Sequence, residues 1–126
     1  MDEAKAVTEM NKTVNNIITF IKVKHPKNKT IKLIQTGYRG VITIDRTMIY
    51  NVSRPYVIKW QEHIKKGNVE FFLTLDINEH IDESDSSKSN LIAPIIDELR
   101  SLWKTGFTDE DKKKLTEDFK YLTTLY

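Results

Sequence analysis

Residues 28–51, NKTIKLIQTGYRGVITIDRTMIYN, decide the fold. Ile31, Ile34, Tyr38 and Val41 recur at i, i+3, i+7 and i+10, the spacing of one helical face, and Asn28 stands where an N-cap belongs. Gly37 and Gly40 argue against a helix, since each costs about 1 kcal/mol in a helix interior. Val41-Ile42-Thr43-Ile44 is β-branched throughout, which favours a strand. The face spacing predicts a helix broken near Asp45, then a short second piece around Arg46 to Tyr50. A β-hairpin turning at Gly37 to Gly40 is the competing reading.

Upstream, the signals agree with one another. Val7, Met10, Val14, Ile17, Ile18 and Ile21 line one face of a helix that Asp2 can cap. Lys22 and Lys24 suit the negative end of its dipole, and Pro26 disfavours helical geometry at His25. Downstream, Ser53 can cap a further helix with Pro55 in its first turn and Val57, Trp60 and Ile64 as its stripe, flanked by Tyr56. Gly67 stops it. Phe71, Leu73, Leu75 and Ile77 then alternate with mostly polar neighbours, which predicts a short extended segment with Phe71 and Phe72 on opposite sides. Residues 78–90 are acidic and Ser-rich and read as an exposed loop. Ile92, Ile95, Ile96, Leu99, Leu102 and Trp103 form the next stripe, ended by Gly106. Thr108 with Asp111 three residues on gives a capping-box pattern before Leu115, Phe119, Leu122 and Tyr126. Each stripe must be buried against another. The expectation is one domain over residues 1–126: mainly α, a compact bundle of about five helices with room for one short β element.

Composition removes whole classes of chemistry. With no cysteine among 126 residues there is no disulfide, thiolate metal site or cysteine nucleophile. The start Met1-Asp2-Glu3 has no apolar run behind it and is not read as a secretory signal. No apolar run approaches the roughly 18 residues a membrane span needs, so no membrane partner is expected. His25, His63 and His80 are never four apart, which excludes a zinc helix of the HExxH kind. Glu79-His80-x-Asp82-Glu83 reads as solvated charge. The serines lack a nucleophile elbow, and Gly37-Tyr38-Arg39-Gly40 lacks the Lys-Ser/Thr of a phosphate loop. No enzyme, cofactor or metal site is expected.

Two clusters remain as binding candidates. Lys22, Lys24, Lys27, Lys29 and Lys32, with Arg39 beyond them, could neutralise several phosphates and give weak, non-specific, salt-sensitive nucleic-acid binding. Tyr56, Trp60, Phe71 and Phe72 are dense for so small a chain and are candidates for self-association, with a homodimer the expected form.

The run Tyr56-x3-Trp60-x3-Ile64-x3-Asn68-x2-Phe71-Phe72-Leu73 and the acidic spacer after it resemble a recurrent segment in small proteins of large, amoeba-infecting DNA viruses. So does the closing part, with Leu99, Trp103, Asp111, Lys112, Phe119, Tyr121, Leu122 and Leu125-Tyr126, although Phe119 stands where a tryptophan is usual. The resemblance, over roughly residues 50 to 126, is to particle-packaged proteins of marseillevirus-like viruses. It implies a virion or viral-factory setting in the host cytoplasm, and other virion proteins as partners. It supplies no catalytic or binding residue. The expected function is a non-catalytic viral structural or interaction protein, with nucleic-acid binding through the lysines as the alternative.

Overall fold

The computed structural model describes residues 2–74 and 97–126. The acidic stretch 78–90, His80, and the apolar positions Leu75, Ile77, Ile92, Ile95 and Ile96 lie outside them. The described residues form seven α-helices and a closing 3-10 turn, with no strand among them. In chain order these are α1 (Glu3–Lys24), α2 (Lys29–Ile44), α3 (Met48–Lys59), α4 (Gln61–Lys65), α5 (Val69–Thr74), α6 (residues 97–105), α7 (Asp109–Leu122) and the turn Thr123–Leu125.

α1 is the hub. The Asp2 carboxylate accepts from the Lys5 amide at 2.8 Å, so one orphan donor of the first turn is satisfied. Its C-cap is His25, one residue before Pro26. Its inner face touches α2, α3, α7 and the closing turn. Ala6, Val7 and Met10 pack with Tyr50 and Leu125. About two turns further along, Ile17 and Ile21 pack with Ile31, Leu102 and Leu115. Two apolar clusters thus share one helix, which fixes the other elements around it.

The stretch that decides the fold is helical throughout Lys29–Ile44, and no hairpin forms at Gly37 to Gly40. Asn28 Oδ1 accepts from the Ile31 amide at 3.1 Å. Ile31, Gln35 and Tyr38 turn inward together: Gln35 accepts from Lys22 Nζ at 2.7 Å and Tyr38 donates to the Asn11 carbonyl at 2.5 Å. This face outweighs the two glycines, whose combined penalty is about 2 kcal/mol against ~1.5–3 kcal/mol for a single large apolar residue buried.

Three expectations need correction. The helix after Asp45 is not a short piece followed by a second helix capped by Ser53. It is one helix, α3, with Pro55 in its interior and no capping role for Ser53. Tyr50 holds it in place: only 4% exposed, it anchors the first turn in the core. The helix then breaks at Trp60, and α4 follows. Lastly, residues 69–74 are helical, not extended. In a helix Phe71 and Phe72 stand about 100° apart rather than on opposite sides, and both reach Trp60, at 6.4 and 6.1 Å between centroids.

The stops and caps read from sequence are present. Gly67 has φ +66°, and the amides of Gly67 and Asn68 return to the carbonyls of Ile64 and His63, a Schellman closure of α4. Thr108 and Asp111 exchange side-chain-to-backbone bonds at 3.1 Å each, the reciprocal capping box of α7.

Candidate interaction surfaces

His25 and His63 are structural. His25 Nε2 lies 2.8 Å from the Gly106 carbonyl and its ring meets Phe107 edge-on. His63 stacks flat on Phe71 at 3.8 Å, with Asn68 Nδ2 at 3.2 Å from its Nδ1. Among the described residues no three His, Asp or Glu side chains gather closely enough to hold a metal ion. Gly37-Tyr38-Arg39-Gly40 lies within α2, where its backbone amides serve the helix and cannot cradle a phosphate.

The basic cluster is divided in two. Lys22 is spent on Gln35, and Lys24 pairs with Asp111 at 3.3 Å while lying over the Phe20 ring. Asp111 accepts from the Thr108 amide and then from Lys24, and these bonds hold its carboxyl below the usual value. Lys27, Lys29, Lys32 and Arg39 remain exposed and make no ion pair among the described residues. The cationic surface is therefore a turn and one edge of α2, not the six residues together.

The four aromatics proposed for self-association form one contiguous cluster. Tyr56 and Trp60 lie 5.7 Å apart, Trp60 contacts both phenylalanines, and Phe71 and Phe72 meet edge-on at 5.1 Å. All four are half-buried. Beside them is a cavity of about 350 Å3 lined by Val57, Ile64, Phe72, Leu99, Trp103 and Phe119. That size lies within the range of ligand cavities. Its polar groups are already engaged: Arg100 Nε and Nη2 donate to the Phe72 carbonyl at 3.1 and 2.8 Å, and Thr116 donates to the Lys112 carbonyl at 2.7 Å. Among the described residues that line it, none pairs a nucleophile with a base.

The outward face of α2 has a different character. Leu33 and Ile44 are 72% and 84% exposed. Between them on the same stripe lie Gly37 and Gly40, where an added Cβ would meet nothing within 4 Å. The spacing i, i+4, i+7, i+11 makes a straight line about 16 Å long. Lys29, Lys32, Thr36, Arg39 and Thr43 form its edge, all exposed. α2 contains no acidic residue.

No family model, curated protein or solved structure matches this chain.

The α2 stripe was within reach of the sequence. Its four positions are as regular as the buried Ile31–Tyr38 face. In sequence, however, the two glycines read only as a penalty on the helix. Their use as a flat strip between two branched side chains shows only once the opposite face is known to be buried.

Proposed function

We propose that this chain is a non-catalytic interaction module that works as a homodimer. The observation that carries the reading is the exposed Leu33–Gly37–Gly40–Ile44 stripe on α2. Large aliphatic side chains this open to water, aligned with bare backbone, are a surface that gains by being covered. The aromatic cluster supports the same reading by a different route. Tyr56, Trp60, Phe71 and Phe72 use much of their area on each other, which leaves α2 as the better apolar contact. The engaged polar groups of the cavity and the structural histidines favour binding over chemistry. The resemblance to particle-packaged proteins of marseillevirus-like viruses makes the virion the proposed setting, with neighbouring virion proteins as further partners. Sedimentation velocity from 1 to 100 μM tests the self-association. A concentration-dependent dimer, lost in Leu33→Glu/Ile44→Glu with helical content kept, is expected. A strict monomer throughout overturns it.

A second reading has its own observation. Lys27, Lys29, Lys32 and Arg39 are exposed, unpaired among the described residues, and border a helix free of acids. We propose weak, non-specific nucleic-acid binding through them. A 30-nucleotide duplex should be shifted at 50 mM salt and released by 200 mM. No shift at 50 mM would end this reading, as would binding unchanged after all four are neutralised.

A further inference from the structure

We infer that Lys22 of α1, held against α2 by Gln35, anchors a phosphate-binding row with Lys32 and Arg39, and that the backbone of a nucleic-acid duplex supplies the phosphates. This rests on the nucleic-acid reading and adds to it a cation from a second helix.

Gln35 is a polar residue on a buried face. It stands on α2 between Ile31 and Tyr38, and its Oε1 accepts from Lys22 Nζ at 2.7 Å. The amide is neutral. The bond therefore fixes the ammonium in place and leaves its charge intact, with two of its three N–H donors open to another acceptor. Lys22 is half-buried and makes no ion pair among the described residues. A partly desolvated charge with no counter-charge favours an anion beside it, and the bonds it then makes are charge-assisted.

What Lys22 reaches is a row of like charges. Gln35 lies three residues after Lys32 and four before Arg39, so the three share one strip of α2. Lys22 Nζ thereby comes to the level between two exposed cations that are about 10 Å apart along the helix axis. Lys29 and Lys27 continue the row into the preceding turn. Neighbours in it are closer along the axis than the Debye length of about 10 Å at 0.1 M salt, so their fields add. α2 has no acid to offset them. Glu98 of α6 comes up to Asn28, where it accepts from Nδ2 at 2.6 Å, but it pairs with none of these cations.

Charge selects an anion, and the shape of the row selects a repeating one. From Lys29 to Arg39 it extends about 15 Å, more than a single phosphate occupies. Bases find no platform along it, because Tyr38, the aromatic residue of α2, is buried. The contacts are therefore to backbone phosphates, without stacking, which suits a duplex better than a single strand.

Salt dependence counts these contacts. Fluorescence anisotropy with a labelled 30-base-pair duplex is followed from 25 to 200 mM salt, on proteins of equal helical content. Five contacts give a slope of log K against log salt of about −4.5 for the wild type. Lys22→Gln should bring it to about −3.6 and weaken binding about ten-fold at 50 mM. Lys22→Arg should restore both. Gln35→Glu keeps the shape of the buried side chain but gives Lys22 a counter-charge, and should match Lys22→Gln. Lys5→Gln, the same charge change about 25 Å away along α1, should leave the slope in place. Duplex binding with a slope untouched by both Lys22→Gln and Gln35→Glu overturns the anchor and leaves the reading through the α2 cations standing. No binding at 50 mM overturns that reading and the anchor with it. A single strand held more tightly than the duplex overturns the duplex as the source of phosphate. So do vesicles of phosphatidylcholine with about one-third phosphatidylserine, if they are bound and the duplex is not.

Discussion

Tyr50 and Tyr126 stack with ring centroids 4.6 Å apart, and the Tyr126 hydroxyl donates to the Tyr50 carbonyl at 2.7 Å. In return, the Tyr50 hydroxyl donates to the Leu125 carbonyl at 3.2 Å. The Arg54 guanidinium lies over both rings, at 5.1 and 5.8 Å from their centroids. The C-terminal turn is thereby fastened to the first turn of α3, beside Ala6, Val7 and Met10.

This fastening should be alkali-sensitive. Burial, followed by the nearby Tyr50, pushes the Tyr126 phenol up to about 12. A raised value means that the neutral phenol contributes its stability fully below the unfolded value of about 10. The contribution is lost as pH rises from there through 12. At pH 7 Tyr126→Phe should cost about 1 kcal/mol by urea unfolding, for one hydrogen bond. Between pH 10 and 12 wild type should lose stability faster than Tyr126→Phe, so the gap narrows and then reverses.

Acid should act at the α7 cap. Thr108→Ala removes the N-cap and should cost roughly 0.5–2 kcal/mol, read from the urea midpoint. Asp111 tests the pH dependence. Its carboxyl is lowered by the Thr108 amide bond and by Lys24, so its contribution is complete above the unfolded value of about 4. It disappears as pH falls through the lower folded value. The stability difference between wild type and Asp111→Asn should be constant near neutrality and vanish in strong acid.

Two glycines should fail for different reasons. At Gly106 an added Cβ would lie 2.9 Å from Leu102 Cδ2, 3.0 Å from the Leu102 carbonyl oxygen and 3.1 Å from His25 Cε1. Gly106→Ala should therefore cost about 1–3 kcal/mol through crowding and should shift the His25 ring resonances. At Gly67 the nearest atoms are at 3.5 Å, but φ is +66°. Gly67→Ala should cost about 1–2 kcal/mol through backbone conformation alone, leaving those resonances in place.

Gly37→Ala and Gly40→Ala should do the reverse. Both sites are helical and open. Each substitution should stabilise dilute protein by about 0.5–1 kcal/mol, measured by thermal unfolding. A loss of stability in dilute protein would show that the two positions contact something within the monomer.

The sequence by itself determined both ends of α1, the start of α2, the ends of α4 and α6 and the start of α7. Asp2, Asn28, Pro26, Gly67, Gly106 and the Thr108/Asp111 pair act within four residues of the backbone they control, so their effects are legible one segment at a time. It also determined the inward face of α1, because 3.6-residue spacing leaves one choice of face; on α7 it placed Leu115 correctly, while Phe119 of the same stripe is 41% exposed. The tertiary structure decided what local signals left open. Residues 69–74 are helical because both phenylalanines turn to Trp60, against an alternation that read as a strand. α3 runs through Pro55 because Tyr50 and Tyr126 hold it from 76 residues apart. Lys24 is drawn from the basic cluster by Asp111, and His25 is pinned at Gly106 across 81 residues. Such contacts carry no periodicity along the chain, since they depend on which faces meet after collapse. The outward stripe of α2 belongs to both lists. Its spacing is written in the sequence, but only the burial of Ile31, Gln35 and Tyr38 determines that Leu33, Gly37, Gly40 and Ile44 are the face turned outward.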